Sequence, residues 1–472
     1  MTTPYETVKA KYRFPPNIEE RAYQVSAINA LAPLPRAGYY LGIGTGKTFV
    51  STCSALYKRD EQGADVTWIV MPPILLVDWY RWLSSITPKQ HIMLYAGSPA
   101  ERKRLNFDGY DWIMSSIQIF KKDYSRIVAD LTGKKVTLIV DEATSIKNVG
   151  SENHKTVRDF VMNQGADLLP LTGTPLSTPL DGYAFIKLIA PTIYRNLNHF
   201  ENVHVAERDF FDKPIRWKNL DLLAENMQVN SVRFQRREVV QNLPPVIFTP
   251  IEYALDVKHY QLYRELVENQ LLELPDGGKI DATAQNALYH KTQQIVCNWD
   301  YFSGDDANIA SGLELVEEVL SELGDGKLVV VGNYRMTNRK LVTRLAKYGA
   351  VAAFGDITPA QQARNKDRFI DDPACRIFIL QPASAGFGLD GMQRVCSDML
   401  FLELPRVPRD FHQTVGRLDR DGQADAVQVR VAIAQGTVQI KLMKDMMHKD
   451  EVVGRVQPNV HNLRKELMGD LT

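Results

Sequence analysis

Short apolar runs recur along the chain, and between them lie longer stretches with apolar residues at helical spacing. The runs "VTWIVM" (66–71), "DWIMSS" (111–116), "VTLIVDE" (136–142) and "DLLPLTG" (167–173) are bounded by polar and turn-forming residues, which predicts buried strands. After a polar middle the pattern resumes with "KLVVVGN" (327–333), "AVAAF" (350–354), "RIFILQ" (376–381), "DMLFLEL" (398–404) and "VQVRVAIA" (427–434). Stretches such as "PILLVDWYRWLSSI" (73–86) and "NRKLVTRLAKY" (338–348) place apolar residues on one face of a helix. Strand, helix, strand, repeated in two blocks, predicts α/β architecture with two parallel sheets covered by helices. Pro244 and Pro245 cannot continue a helix and favour an extended connection, so the two domains are set at 1–243 and 244–472. Residues 196–242 and 257–318 fall outside the strand pattern and read as helical insertions, one per block.

The first candidate chemistry is in "YYLGIGTGKTFVS" (39–51). Gly44, Thr45 and Gly46 suit a turn whose backbone N–H groups face phosphate oxygens. Lys47 adds a point charge near the β and γ phosphates, and the Thr48 hydroxyl suits magnesium. The residues that follow read as a helix whose N-terminus favours anions. Leu41 stands where the full GxxxxGK[ST] pattern has its first glycine, so the loop alone also fits a glycine turn with no ligand. The second candidate is the acidic strand end in "VTLIVDEATSIKN", where Asp141 could hold magnesium and Glu142 could orient and deprotonate an attacking water. A lone Asp-Glu pair also fits a solvated turn; downstream of a phosphate loop it becomes the expected second half of an ATPase site.

Charge narrows the partners. Lys plus Arg and Asp plus Glu both number 56, so a nucleic-acid partner requires a local basic surface, with "ERKRLNF" (101–107), "RFQRRE" (233–238) and "NYRMTNRK" (333–340) as candidates beside their reading as solvated faces. Cys53, Cys297, Cys375 and Cys396 are scattered without a CxxC pair, which argues against structural zinc or a disulfide framework and suits a reducing cytoplasm. His154, His199 and His204 have no metal-ligand spacing. The N-terminus lacks an apolar leader and no apolar run reaches membrane-spanning length, so no membrane partner is expected.

Taken in order, the motifs resemble those of superfamily-two helicases, in particular the Swi/Snf-like branch of DNA translocases. "RAYQVSAINAL" is similar to the adenine-recognising Q motif and contains Gln24. "GIGTGKT" resembles motif I, "WIVMPPILLVDWYRWL" motif Ia with Pro72 and Trp79, and "DEATSIKN" motif II. "LTGTPLSTPLDGYAFIKLIAP" resembles motif III, and "FQRREVVQNLPP" the arginine-rich exit from the first lobe. In the second block "KLVVVGNY", "SAGFGLDGM" and "HQTVGRLDRDGQ" resemble motifs IV, V and VI. The resemblance covers almost the whole chain. It implies two tandem RecA-like lobes with the ATP site in the cleft between them.

It also implies roles. Arg417 and Arg420 would stabilise the transferring phosphoryl group; a helical "TVGRLDR" would put both on one face. Gly388 and Asp390 would join the ATP site, with ATP and Mg2+ as cofactors. Pro72, Ser115, Thr172 and Thr174 in the first lobe, and Ser384 and Gly386 in the second, would follow or couple to one strand's phosphates. Asp419 stands where the family usually has histidine, Asp390 where asparagine is common, and Ala143 and Thr144 where Gly-His or Ala-His is usual. These departures bear on coupling between lobes more than on hydrolysis. Phe210, Phe211 and Trp217 in "RDFFDKPIRWKN" could stack a splayed base, but the likeness to the family's helical protrusion points to core packing.

The expected function is an ATP-dependent translocase or helicase acting on duplex, forked or branched DNA, akin to the compact helicases of bacteriophages and bacteria. An RNA-dependent ATPase and a DNA clamp with decayed catalysis are the competing readings.

Overall fold

The computed structural model describes residues 2–16, 20–42, 44–239, 243–273, 279–281, 285–303, 311–382 and 390–456. The chain divides into two compact units, Met1–Gln241 with Val452–Val460, and Asn242–Glu451 with His461–Thr472.

In the first unit the strands are β1 (Gly38–Leu41), β2 (Val66–Val70), β3 (Ile92–Leu94), β4 (Trp112–Ser115), β5 (Val136–Val140), β6 (Asp167–Pro170), β7 (Val205–Arg208), β8 (Pro214–Trp217) and β9 (Ser231–Phe234). A parallel sheet runs in the order β3-β4-β2-β5-β6. Helices cover both faces, so β2, β4, β5 and β6 are buried along their length, which explains why their sequences read as continuous apolar runs. β1 continues this order, bridged in parallel to the β6 segment at Arg36–Leu168 and Tyr39–Leu171, and β9 pairs with its other side.

The second unit holds β10 (Val246–Tyr253), the hairpin strands β11 (Leu271–Glu273) and β12 (Lys279–Asp281), then β13 (Leu328–Val331), β14 (Val351–Ala353), β15 (Ile377–Leu380), β16 (Asp398–Phe401) and β17 (Val427–Ala434). Its main sheet is parallel throughout, ordered β10-β17-β16-β13-β15-β14. Buried Glu403, at the end of β16, accepts the backbone N–H groups of Asn333 and Tyr334 (2.7 and 2.9 Å) and the Thr337 hydroxyl (2.6 Å). That one carboxyl sets the turn after β13. Tyr263, buried in the second insertion, accepts the Val438 N–H at 2.6 Å and is structural.

Neither insertion is wholly helical. Residues 196–242 contain the antiparallel hairpin β7–β8 and the strand β9 between short helices. Residues 257–318 contain the β11–β12 hairpin among helices Val257–Asn269, Gln285–Ser303 and Ser311–Glu322. The β7–β8 hairpin is half-exposed, so it leaves no apolar run for a sequence reading to find. All four cysteines are buried thiols. Among the described residues no helix is long and apolar enough to cross a membrane.

Candidate nucleotide site

β1 delivers the chain into the loop that ends at Gly46, and the helix Lys47–Gln62 begins there. Gly44 and Gly46 adopt left-handed backbone (φ 75° and 87°), a conformation that a side chain disfavours. Gly46 has a second constraint, since a Cβ there would stand 2.2 Å from Gln24 Nε2. Buried Gln24 donates to the Thr45 carbonyl (3.0 Å) and accepts the Arg21 N–H (3.3 Å), while Tyr23 Oη also donates to Thr45 O (2.9 Å). The Thr45 hydroxyl donates back to Gly42 O at 2.7 Å. The loop is thus fixed from outside and within. Lys47 Nζ rests 3.1 Å from Leu41 O and 3.4 Å from Gly42 O. Thr48 is half-buried in the first turn of the helix.

Asp141 follows β5 and is buried. Trp79 Nε1 donates to its Oδ2 at 2.8 Å, and the Glu142 backbone N–H to its Oδ1 at 2.8 Å. Burial raises the Asp141 carboxyl above its ordinary range, opposed by the Trp79 bond, then by the charge of Lys47. Glu142 sits in the left-handed region at φ 49°, a conformation that costs a non-glycine residue about 1–3 kcal/mol. The Ala143 N–H donates to Leu171 O (2.8 Å), and the Thr172 N–H to Tyr39 O (3.2 Å). A Cβ on Gly173 would lie 3.2 Å from Leu41 O. Backbone contacts therefore tie motif III to both the loop and the acidic strand end. Asp141 and Thr48 offer the hard oxygen donors that suit magnesium.

The proposed DNA-track residues differ in their settings. Pro72 is half-buried before the turn Pro73–Leu75 and the helix Leu76–Ile86, which carries Trp79. Thr172 is buried and its hydroxyl accepts the Thr174 N–H at 3.2 Å; Thr174 is half-buried. Ser115 is buried at the end of β4, and its Oγ accepts Trp68 Nε1–H at 2.9 Å, so the hydroxyl packs inward. Ser384, Gly386 and Gly388 lie outside the described residues.

In the second unit the helix Pro408–Val415 ends before the arginines, so "TVGRLDR" is not one continuous helix. Arg417 and Arg420 follow in turns, where the Arg417 N–H donates to Thr414 O (3.0 Å) and the Arg420 N–H to Leu418 O (2.9 Å). Both side chains are buried and converge nonetheless, since each guanidinium reaches Asp390 Oδ1, that of Arg417 at 3.4 Å. The Asp390 side chain is 73% exposed above them. Partial desolvation raises its carboxyl, and the charges of Arg420 and then Arg417 outweigh it, leaving the group below the usual range. Both arginines thus pair with a residue of the stretch that resembles motif V.

Two site neighbours escaped the sequence reading. Trp79 was visible only as part of motif Ia, although its indole holds the key carboxylate. Buried Arg236, in a segment read as basic surface, lies with Cδ and Nε 3.9 Å from where a Cβ on Gly44 would stand. Its position in an arginine-rich stretch gave no sign of this.

Comparisons with known proteins follow from this geometry. A family model described as "SNF2-related domain" matches residues 41–301. "Chromodomain-helicase-DNA-binding protein 1-like" of Mus musculus is 22% identical over 447 residues, covering 89% of this chain and 48% of that protein. "Uncharacterized ATP-dependent helicase MG018" of Mycoplasma genitalium is 23% identical over 416 residues, covering 84% of this chain and 38% of that protein. The solved structure "Sulfolobus solfataricus SWI2/SNF2 ATPase core in complex with dsDNA" is similar over 95% of this chain and 97% of that one, at 18% identity and a TM-score of 0.43. The chain spans about half or less of the length of these curated relatives.

Proposed function

The chain belongs to the SNF2-related domain family, and from that premise we propose that it is an ATP-dependent DNA translocase that remodels forks or junctions, by branch migration or unwinding. The family's domain is an ATPase core. The observation that carries the reading is one corner of the first unit, where Lys47 opens a helix on a left-handed glycine loop and its charge acts on the buried Asp141.

In this reading the loop N–H groups and Lys47 bind the ATP phosphates, and Gln24 recognises adenine while steadying the loop. Thr48 and Asp141 would hold magnesium, which when bound offsets charge on the phosphates. Glu142 orients the water and takes its proton as the γ-phosphoryl group leaves ADP. Arg417 and Arg420, with Asp390 as their resting counterion, act on the same nucleotide and spread charge over the transferring oxygens. Gly388 belongs to this set by motif alone. Thr172 and Thr174 couple hydrolysis to the DNA track through the backbone bonds to β1, and Pro72, Ser384 and Gly386 take positions along that track. Phosphate contacts position the strand without reading its sequence.

The test is an ATPase titration against single-stranded, duplex, forked and four-way-junction DNA, with RNA alongside, over a salt series. Duplex or branched DNA should stimulate hydrolysis, and the stimulation should weaken as salt rises because phosphate contacts release counterions. Stimulation by RNA alone would move the protein to the RNA-dependent class, and hydrolysis indifferent to every nucleic acid would overturn the translocase reading.

A further inference from the structure

Phe210 is 96% exposed and Phe211 65%. They stand in the turn of the β7–β8 hairpin, with ring centroids 5.4 Å apart and ring planes at 86°. The packing in a helical protrusion implied by the family resemblance is overturned for these two residues, while Trp217 does pack against the core of the first unit.

The turn is built to hold them out. Asp209 Oδ1 accepts the N–H groups of Phe211 (2.9 Å) and Lys213 (2.8 Å), and Arg208 Nη1 donates to Asp212 O (2.7 Å). Asp212 takes the left-handed backbone that closes the turn, at φ 62°. The base is anchored equally well. The Lys218 N–H donates to His204 O (2.8 Å), Asn219 Nδ2 to Val203 O (2.7 Å), and buried His204 bonds Tyr194 Oη through its Nε2 (2.6 Å). Four-residue strands carry the tip roughly 13 Å from that anchor. Two phenyl rings presented this way gain nothing for folding.

The charges around them indicate the occupant. Arg208 pairs with Glu201 and Arg216 with Glu207, at 2.9 and 3.1 Å. Lys213, in the turn itself, is exposed and has no ion-pair partner among the described residues, and Lys218 stands equally uncommitted at the base of the hairpin. An aromatic face beside an uncommitted cation, with a second one further down the hairpin, suits a nucleobase flanked by phosphates. A paired base within a duplex offers only its edges, whereas an unpaired base at a branch offers its face. We propose that Phe210 and Phe211 form a stacking tip for unpaired bases where DNA strands part, giving the protein a preference for forked over fully paired DNA. The proposal rests on the DNA-translocase reading above.

The experiment compares the full chain with its Phe210→Ala/Phe211→Ala and Phe210→Trp/Phe211→Trp variants. A fork carries 2-aminopurine at its first unpaired position, and a duplex of equal length serves as reference. Fluorescence and affinity are measured without nucleotide, and duplex-stimulated ATPase in parallel. The parent should quench the probe and bind the fork about tenfold more tightly than the duplex, a difference that one stacked base can supply. The alanine variant should lose both properties and keep its duplex-stimulated ATPase, while the tryptophan variant should keep all three. A parent that binds fork and duplex equally, or an alanine variant that still quenches and prefers the fork, overturns the stacking tip. Loss of a protein partner with fork preference intact would do the same, assigning the tip to protein docking. A parent without any duplex-stimulated ATPase instead breaks the translocase reading, because the nucleotide-free fork assay reports on the tip separately.

Discussion

Lys47 in the first unit and the Arg417–Arg420 pair in the second are both cations assigned to phosphate, but they are restrained by different means. Lys47 rests on the carbonyl oxygens of Leu41 and Gly42, neutral acceptors from its own loop. The arginines share the carboxylate of Asp390, a formal charge from another segment. Carbonyl oxygens give up an ammonium at little cost, whereas a carboxylate must be outcompeted. Because Asp390 is 73% exposed, water screens that pairing, and such pairs contribute about 0–1 kcal/mol. Arginines on a transferring phosphoryl group contribute about 10³ to 10⁵ in rate, or roughly 4–7 kcal/mol. Under the proposed function the phosphoryl group would outcompete the carboxylate, so that Asp390 would park the arginines and not block them.

The largest break in that comparison is Lys47→Ala, which should abolish hydrolysis, lowering phosphate release about 10³-fold or more through loss of preorganised charge. Next is Arg417→Ala, expected to lower turnover by about 10³-fold while ATP affinity, read by titration calorimetry, stays within a few-fold. Asp390→Asn, assayed beside it, should change turnover by no more than about fivefold, the limit set by a screened pair. Equal losses in these two variants would make the carboxylate part of the chemistry and undo the contrast between parking and catalysis.

A smaller effect probes the acidic strand end. Trp79→Phe removes an N–H that favours ionised Asp141, whose carboxyl burial has already raised. The carboxyl should rise further, so the acid limb of the pH–rate profile should move to higher pH, with the greatest loss on the acid side. A profile superimposable on the parent's would mean that Asp141 ionisation does not limit hydrolysis. The smallest effect is at Ser115. Ser115→Ala orphans the Trp68 indole N–H and should cost about 1–2 kcal/mol in denaturant unfolding, with DNA-stimulated ATPase unchanged. Weaker DNA stimulation at unchanged stability would return this serine to the phosphate track.

The strands with continuous apolar runs were legible because burial on both faces removes the need for polar positions. β1 was hidden in the same letters as the phosphate loop, and β9 is a half-buried "SVRF" whose partner lies far back in the chain. Lys47, Thr48, Asp141 and Glu142 could be singled out from the sequence because the proposed chemistry calls for those side chains at those spacings. Trp79 against Asp141 and Arg236 beside Gly44 were not, since each contact arises from packing between distant segments. The contact of Arg417 and Arg420 with Asp390 was hidden for a related reason: nothing in the adjacent residues signals that the turn after Val415 carries both side chains to a residue about thirty positions earlier. At the hairpin, aromatic composition could not distinguish buried from displayed rings; Asp209 and the anchoring of the base decide it.

β1 owes its outer neighbour to residues made much later, for the Gly42 N–H, at the mouth of the loop, donates to Phe234 O at 2.9 Å. During synthesis the ribosome therefore releases all of the nucleotide loop well before the segment that flanks it. Until Ser231–Phe234 emerges, one side of β1 offers bare amides to any passing strand. A shortened version stopping ahead of residue 231 would keep every phosphate-binding side chain of the first unit and still be the wrong piece to purify, because that exposed edge invites aggregation.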